Sequence, residues 1–311
     1  MLNRRHIRIK VMQSIYTMHQ HQSDQLDKEE KFLFQSIENT QDLYLLLLSA
    51  LVEIKKKEEL YIDLASKKHL ATKEERNPSL KFVHNKVLMA FANSAALENA
   101  LEERKIKNWQ QNDDIILYLI ESIKASALYE RYMNNATSSF EDDRNFLADL
   151  YTEVIAPSEK LYDYLEDHKL TWLDDLPGIN TLILKQIKQL KSERDVVVIP
   201  EVYKDEDDKE FVKNLFRKTV LNEVELSKEY IDKTPNCDVD RIAELDTIIL
   251  KMAICELLKF PSIPTKVTIN EYLEIAKEYS TPKSSIFING ILDNLVKEFE
   301  KDKRLTKSGR G

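Results

Sequence analysis

The chain has 311 residues and a net charge of −8, with four glycines, eight prolines and a charged fraction of 32%. That length can bury one large core or two modest ones. So few turn formers among so many charges exclude a strand-rich fold and leave almost no room for a glycine-rich nucleotide loop, so the expected class is all-α.

The first expected helix covers 4–21, where Ile7, Val11, Ile15 and Met18 recur at spacings of three and four. Polar residues 22–30 end it, and a second helical block covers 31–68. Within that block the run Leu43 to Leu51 is too short to span a bilayer and is followed by Lys55, Lys56 and Lys57, so it reads as a buried segment. A breaker-rich stretch at 71–79 leads into expected helices at 80–107 and 113–133. A loop at 134–144 is followed by helices at 145–168 and 179–191. Residues 196–200 (VVVIP) are the one strand-like run, too short and isolated to imply a sheet. The last block holds expected helices at 208–233, 238–259, 265–279 and 282–300, the last capped by Thr281 with Pro282 at its first position.

A shift of 66 places Glu159, Tyr164, Asp174, Thr181, Ile183, Leu184 and Lys185 on Glu225, Tyr230, Asp240, Thr247, Ile249, Leu250 and Lys251, and Val154 on Val220. A copied helical hairpin and a chance likeness between Leu/Lys/Glu-rich helices both account for it. Cys237 and Cys255 lack CxxC spacing, which fits a reducing cytosol and no disulfide framework. No apolar core of a signal peptide follows the basic start. The expected location is cytoplasmic.

No catalytic or metal constellation emerges. His19 and His21 are two residues apart on a helix, so their rings diverge. The pairs Glu102-Glu103 and Asp113-Asp114 have no basic or nucleophilic companion nearby in sequence. The expectation is a non-enzyme with no cofactor. Positive charge concentrates locally: Arg4, Arg5, Arg8 and Lys10 lie in the first ten residues without an acid, and 301–311 is a basic tail. Such patches are solvated faces or docking sites for a nucleic-acid backbone.

Three segments share one pattern: RRHIRIKVMQSIY at Arg4–Tyr16, ELDTIILKMAICELL at Glu244–Leu258, and IPTKVTINEYLEIAKEYSTPKSSIFINGIL at Ile263–Leu292. Together, in this order, they resemble the NusB family of transcription antitermination factors. The resemblance covers roughly 1–22 and 206–300. It implies a helical bundle formed by 1–70 and 201–300, enlarged by a helical insertion at 71–200. It also implies a factor acting on ribosomal RNA transcription that binds boxA-like single-stranded RNA. Its implied partners are a NusE-type small-subunit ribosomal protein and the transcription elongation complex, with no membrane.

In that family pattern Arg4, Arg5 and Arg8 face RNA, and arginine suits this because its planar fork takes phosphate oxygens bidentately. Tyr16 offers a ring for a base or for the core. Lys283, Ser284, Phe287 and Asn289 line the start of the last helix, with Phe287 at the RNA rim or in the core. Lys283 stands where the family often shows an acid. Asp246, Glu256 and Glu271 occupy acidic positions suited to a basic partner. Asn289-Gly290 lies inside a helix, where Gly costs roughly 1 kcal/mol relative to Ala. That predicts close approach of another backbone or a ligand. The rival functions are a protein-binding scaffold and an accessory domain of an RNA-modifying enzyme. The latter needs a glycine-rich cofactor loop. The insertion is expected to supply architecture or a partner surface, not a second RNA site.

Overall fold

A computed structural model describes residues 1–137, 139–231 and 243–308. Cys237, Asp240 and the ends of two expected helices lie outside those residues. Among the described residues the regular structure is helical throughout, with no strand, and no helix is long and apolar enough to cross a membrane.

The chain forms two compact units, one of 1–37 with 201–311 and one of 38–200. The first division falls inside a helix, not near residue 70. Helix α2 (Leu26–Ser66) runs unbroken for 41 residues, because it contains neither Gly nor Pro. It begins in the first unit and continues in the second.

The first unit holds α1 (Arg4–Gln20), α12 (Glu206–Leu221), α13 (Glu223–Ile231), α14 (Glu244–Lys259), α15 (Thr265–Tyr279) and α16 (Pro282–Lys301). Its core joins Ile7, Val11 and Ile15 of α1 to Phe216, Ile249, Tyr272 and Phe299. The second unit adds α3 (Lys73–Arg76), α4 (Lys86–Ala92), α5 (Ala95–Glu103), α6 (Asn108–Gln111), α7 (Asp113–Ala125), α8 (Ala127–Asn134), α9 (Phe140–Leu150), α10 (Glu159–His168) and α11 (Trp172–Gln189). Several expected long helices are pairs. Ser94 caps α5 by accepting from Leu97, Ser126 caps α8 from Tyr129, and Ser158 caps α10 from Leu161. Each serine satisfies amides that a broken helix exposes, so the break costs little. One π-helical turn, Tyr151–Ile155, extends α9. Helix α11 starts earlier than expected and carries Pro177 inside it. The strand-like run 196–200 is irregular and belongs to no sheet.

The internal repeat reappears as packing, with a corrected register. Buried Asp143, Phe146, Leu147, Leu150 and Tyr151 stand 65 residues before buried Asp208, Phe211, Val212, Leu215 and Phe216. The same spacing of 65 relates buried Leu161 and Leu165 to buried Leu226 and Tyr230. For α11 and α14 the spacing is 66, pairing Ile183 with Ile249 and Ile187 with Ala253. The expected Tyr164–Tyr230 match fails, because Tyr164 is half-buried while Tyr230 is in the core. Helix α9 packs on α4 and α11, and α10 packs on α11. Likewise α12 packs on α1 and α14, and α13 on α14. In both sets an Asn caps the opening helix, Asn3 for α1 and Asn85 for α4. In both, a buried Asp meets the first residue of that helix: Asp208 accepts from Arg4 Nε at 3.0 Å, and Asp143 from the Lys86 amide at 2.9 Å. The second unit therefore carries a four-helix arrangement of the same kind, without counterparts of α15 and α16 following α11.

Candidate nucleic-acid interface

Helix α1 begins at a capping box in which Asn3 accepts from the His6 amide at 3.0 Å. Leu2 donates to the Val202 carbonyl at 3.1 Å, and the terminal amine donates to the carbonyl of Glu201. These bonds fix where the three arginines emerge, and the arginines then diverge in role.

Arg8 points inward and is 2% exposed. Its Nε and Nη2 donate to Glu256 at 2.8 and 2.7 Å. Glu256, fully buried on α14, also accepts from Thr268 Oγ1 at 2.8 Å and Tyr272 OH at 3.2 Å, both on α15. The guanidinium lies 5.1 Å from the Phe211 ring centroid and 5.7 Å from that of Tyr272. Burial pulls the Arg8 pKa down, but the Glu256 hydrogen bonds and charge outweigh it, and the net shift is upward. Two expectations are corrected: neither Arg8 nor Glu256 is on the surface. They form a satisfied buried ion pair that ties α1, α14 and α15 together.

Arg4 and Arg5 stay accessible, with side chains 42% and 39% exposed. Arg4 pairs with Asp208 and lies 5.1 Å from the Phe211 ring centroid. Arg5 grips Glu271 with Nε and Nη2, both at 2.9 Å. That bidentate bond is the main reason the Arg5 pKa is raised and the Glu271 pKa lowered. An open groove of about 540 Å³ lies here, bounded by Arg4 and Arg5 on one side and by Ser262, Ile263, Pro264 and Val267 on the other.

On α16 the expected residues also separate. Ser284 is buried and donates to Asp246 Oδ2 at 2.6 Å, while Ser280 donates to Asp246 Oδ1 at 2.6 Å. Asp246 and Ser284 are thus committed to each other, which corrects both the partner role of the first and the RNA role of the second. Thr281 precedes the helix but makes no side-chain cap bond; its Oγ1 sits 2.8 Å from Ser284 Oγ. Lys283 is exposed. Phe287 is half-buried against the core, and Asn289 donates to Asp293 at 3.1 Å. Tyr16 is exposed on α1. Gly290 corrects another expectation: a Cβ there meets nothing within 4 Å, so no neighbouring helix of this unit requires the glycine.

Sequence reading missed Asp208, Thr268 and Tyr272. The last two had a signal, since Thr268, Tyr272, Ile275 and Ala276 make one buried stripe on α15. Lys307 of the tail was also missed. It is half-buried and donates to the carbonyls of Glu256 and Phe260 at 3.0 and 2.9 Å, closing the end of α14. Among the described residues no cluster of His, Cys, Asp and Glu is arranged to hold a metal.

A family model described as the NusB family matches residues 179–297. The transcription antitermination protein NusB of Salinibacter ruber is 44% identical over 108 residues, covering 34% of this chain and 67% of that protein. The chain belongs to the NusB family. The protein of the same name from Chloroherpeton thalassium is 39% identical over 115 residues, 37% of this chain and 54% of its own length. That from Natranaerobius thermophilus is 49% identical over 74 residues, 24% of this chain and 53% of its own length. The chain thus spans about half the length of two of these relatives. No solved structure matches. The NusB match takes in α12 to α15 and most of α16, and also the end of the second unit; α1 and its arginines lie outside it.

Proposed function

We propose that this NusB-family chain is a non-enzymatic transcription antitermination factor that binds boxA-like single-stranded RNA together with a NusE-type ribosomal protein during ribosomal RNA synthesis. The observation that carries the reading is the open groove with two accessible guanidinium groups on one helical turn. Single-stranded RNA needs cations along its phosphates and flat groups for its bases. Arg4 and Arg5 supply the first. Tyr16, Lys283, Phe287 and Asn289 remain the candidates to extend the contact. The names of the relatives support the antitermination role. With Asp246 and Glu256 inside, the acids available to a basic partner are Glu271 and its exposed neighbours Glu274 and Glu278 on α15.

The test is binding of a boxA-like RNA oligonucleotide, with and without the ribosomal protein, at two salt concentrations. Arg4→Ala with Arg5→Ala removes about two phosphate contacts, so affinity falls and the slope of log K against log salt flattens by roughly 1.4 for a single strand. Arg4→Ala also takes its guanidinium partner from buried Asp208, so parent and variant are compared at a temperature where both are folded. Unchanged affinity of the folded variant refutes the RNA reading and favours a protein-binding scaffold.

A further inference from the structure

The two units carry grooves in corresponding places. In the first unit the groove lies between the start of α1 and the segment leaving α14, Ser262–Pro264. In the second, a groove of about 410 Å³ lies between α4, at Lys86 and Met89, and the segment leaving α11, at Glu193–Val197. The chemistry of the second groove is reversed. Its lining holds one base, Lys86, which is already paired with Glu193 at 3.0 Å. Glu193 and Asp195 make the rim acidic, and Met89 and Val196 make the wall apolar. An RNA backbone meets one lysine and two carboxylates in this lining, against three arginines and one carboxylate, Glu271, in the first.

The segment beside this groove is shaped to take a strand. Val196 is 76% exposed, Val197 is buried and Val198 is 65% exposed, which is the alternation of a β-strand. Among the described residues no acceptor meets the backbone amides of Val196, Val197 or Val198. The Val198 carbonyl takes one bond, from Gln186 at 3.2 Å. The run belongs to no sheet, so its free amides and exposed valines are open to pairing with one extended backbone in a two-stranded ribbon. Pro200 ends the run, so it is short.

We propose that the groove of the second unit, with the extended run Val196–Val198 beside it, binds an extended peptide segment of a protein partner, whose backbone pairs with that run. The segment has apolar side chains at alternate positions and a basic residue placed to meet Glu193. Main-chain bonds supply affinity in this mode, and alternate side-chain sites supply selectivity. The positive residue follows from charge, since Glu193 is the exposed acid of the rim and has one competing partner. The inference rests on the paired grooves and not on the RNA reading, so a failure of RNA binding leaves it standing.

The test uses the full chain and a labelled peptide, acetyl-Lys-Val-Lys-Val-Lys-Val-amide, followed by fluorescence anisotropy. A second peptide of the same side chains carries N-methyl groups on the amides of one edge. The parent chain binds the first peptide, and N-methylation weakens binding by about tenfold or more, as loss of backbone hydrogen bonds requires. Val196→Ser with Val198→Ser weakens the first peptide similarly while melting temperature and RNA binding stay unchanged. Equal binding of the two peptides, no binding at all, or indifference to the two substitutions overturns the proposal. Concentration-dependent dimers that the substitutions dissolve overturn it in favour of a second copy of this chain. Displacement of the peptide by the RNA oligonucleotide overturns it in favour of a nucleic acid.

Discussion

Replacing Glu256 with Ala tests the buried ion pair most directly. The carboxylate is fully buried and accepts four hydrogen bonds, two from Arg8 and one each from Thr268 and Tyr272. Its loss strands the Arg8 guanidinium in the core, where truncating one partner of a buried pair costs about 3–5 kcal/mol. For a cooperative unit of roughly 150 residues, each kcal/mol moves the melting temperature by about 2–4 °C, so a fall of about 6–20 °C is expected. Trp109 and Trp172 both belong to the second unit. Tryptophan fluorescence therefore follows that unit, whereas far-UV circular dichroism follows both. The Ala variant should lower the dichroism transition of the first unit more than the fluorescence transition. Arg8→Met combined with Glu256→Leu should recover part of the loss, because an apolar pair replaces a stranded charge while the Thr268 and Tyr272 hydroxyls still lack their acceptor. A Glu256→Ala variant within about 1 kcal/mol of the parent refutes the argument, as does a double variant no better than the single one.

Gly290→Ala should stabilise the chain by about 1 kcal/mol, read as an upward shift in urea midpoint, because the added methyl meets open space and Ala favours the helix; destabilisation would show an approach that the structure lacks. Glu271→Gln removes the charge that holds Arg5, so RNA affinity at low salt should rise about two- to fivefold, matching the modest worth of an exposed pair; a fall in affinity would instead make Glu271 an orienting group. His19 Nε2 donates to Glu223 Oε1 at 2.8 Å, and that hydrogen bond raises its pKa above 6.5. A raised folded pKa gives stability that is complete below 6.5 and is lost as pH climbs through the folded value. His19→Gln should therefore cost under about 1 kcal/mol near pH 6 and progressively less above it. A difference between parent and variant that grows with pH would contradict the assignment.

Composition and periodicity by themselves determined the helical class, because few glycines and prolines and a 3.6-residue apolar period leave helices as the economical way to bury this chain. They also showed α1, α14, α15 and α16 nearly in place, since each presents a recurring apolar stripe. Helix breaks at Ser94, Ser126 and Ser158 were hidden, because a capping serine is identical in composition to a solvated one until its acceptor geometry is known. The arginine cluster was legible as charge but not as geometry. Arg4, Arg5 and Arg8 look alike in sequence, and only the position of Glu256 across α14 turned Arg8 into a core residue. The same limit hid the Asp246–Ser284 bond, whose partners stand 38 residues apart. The repeat was visible along α11 and α14, but its one-residue slip in the preceding helices appeared only through burial. Identity in a surface position carries no packing constraint, whereas burial forces the register. Periodicity along one helix tells which side chains turn inward; which charge meets which inside is decided between helices, by contacts that no local spacing encodes.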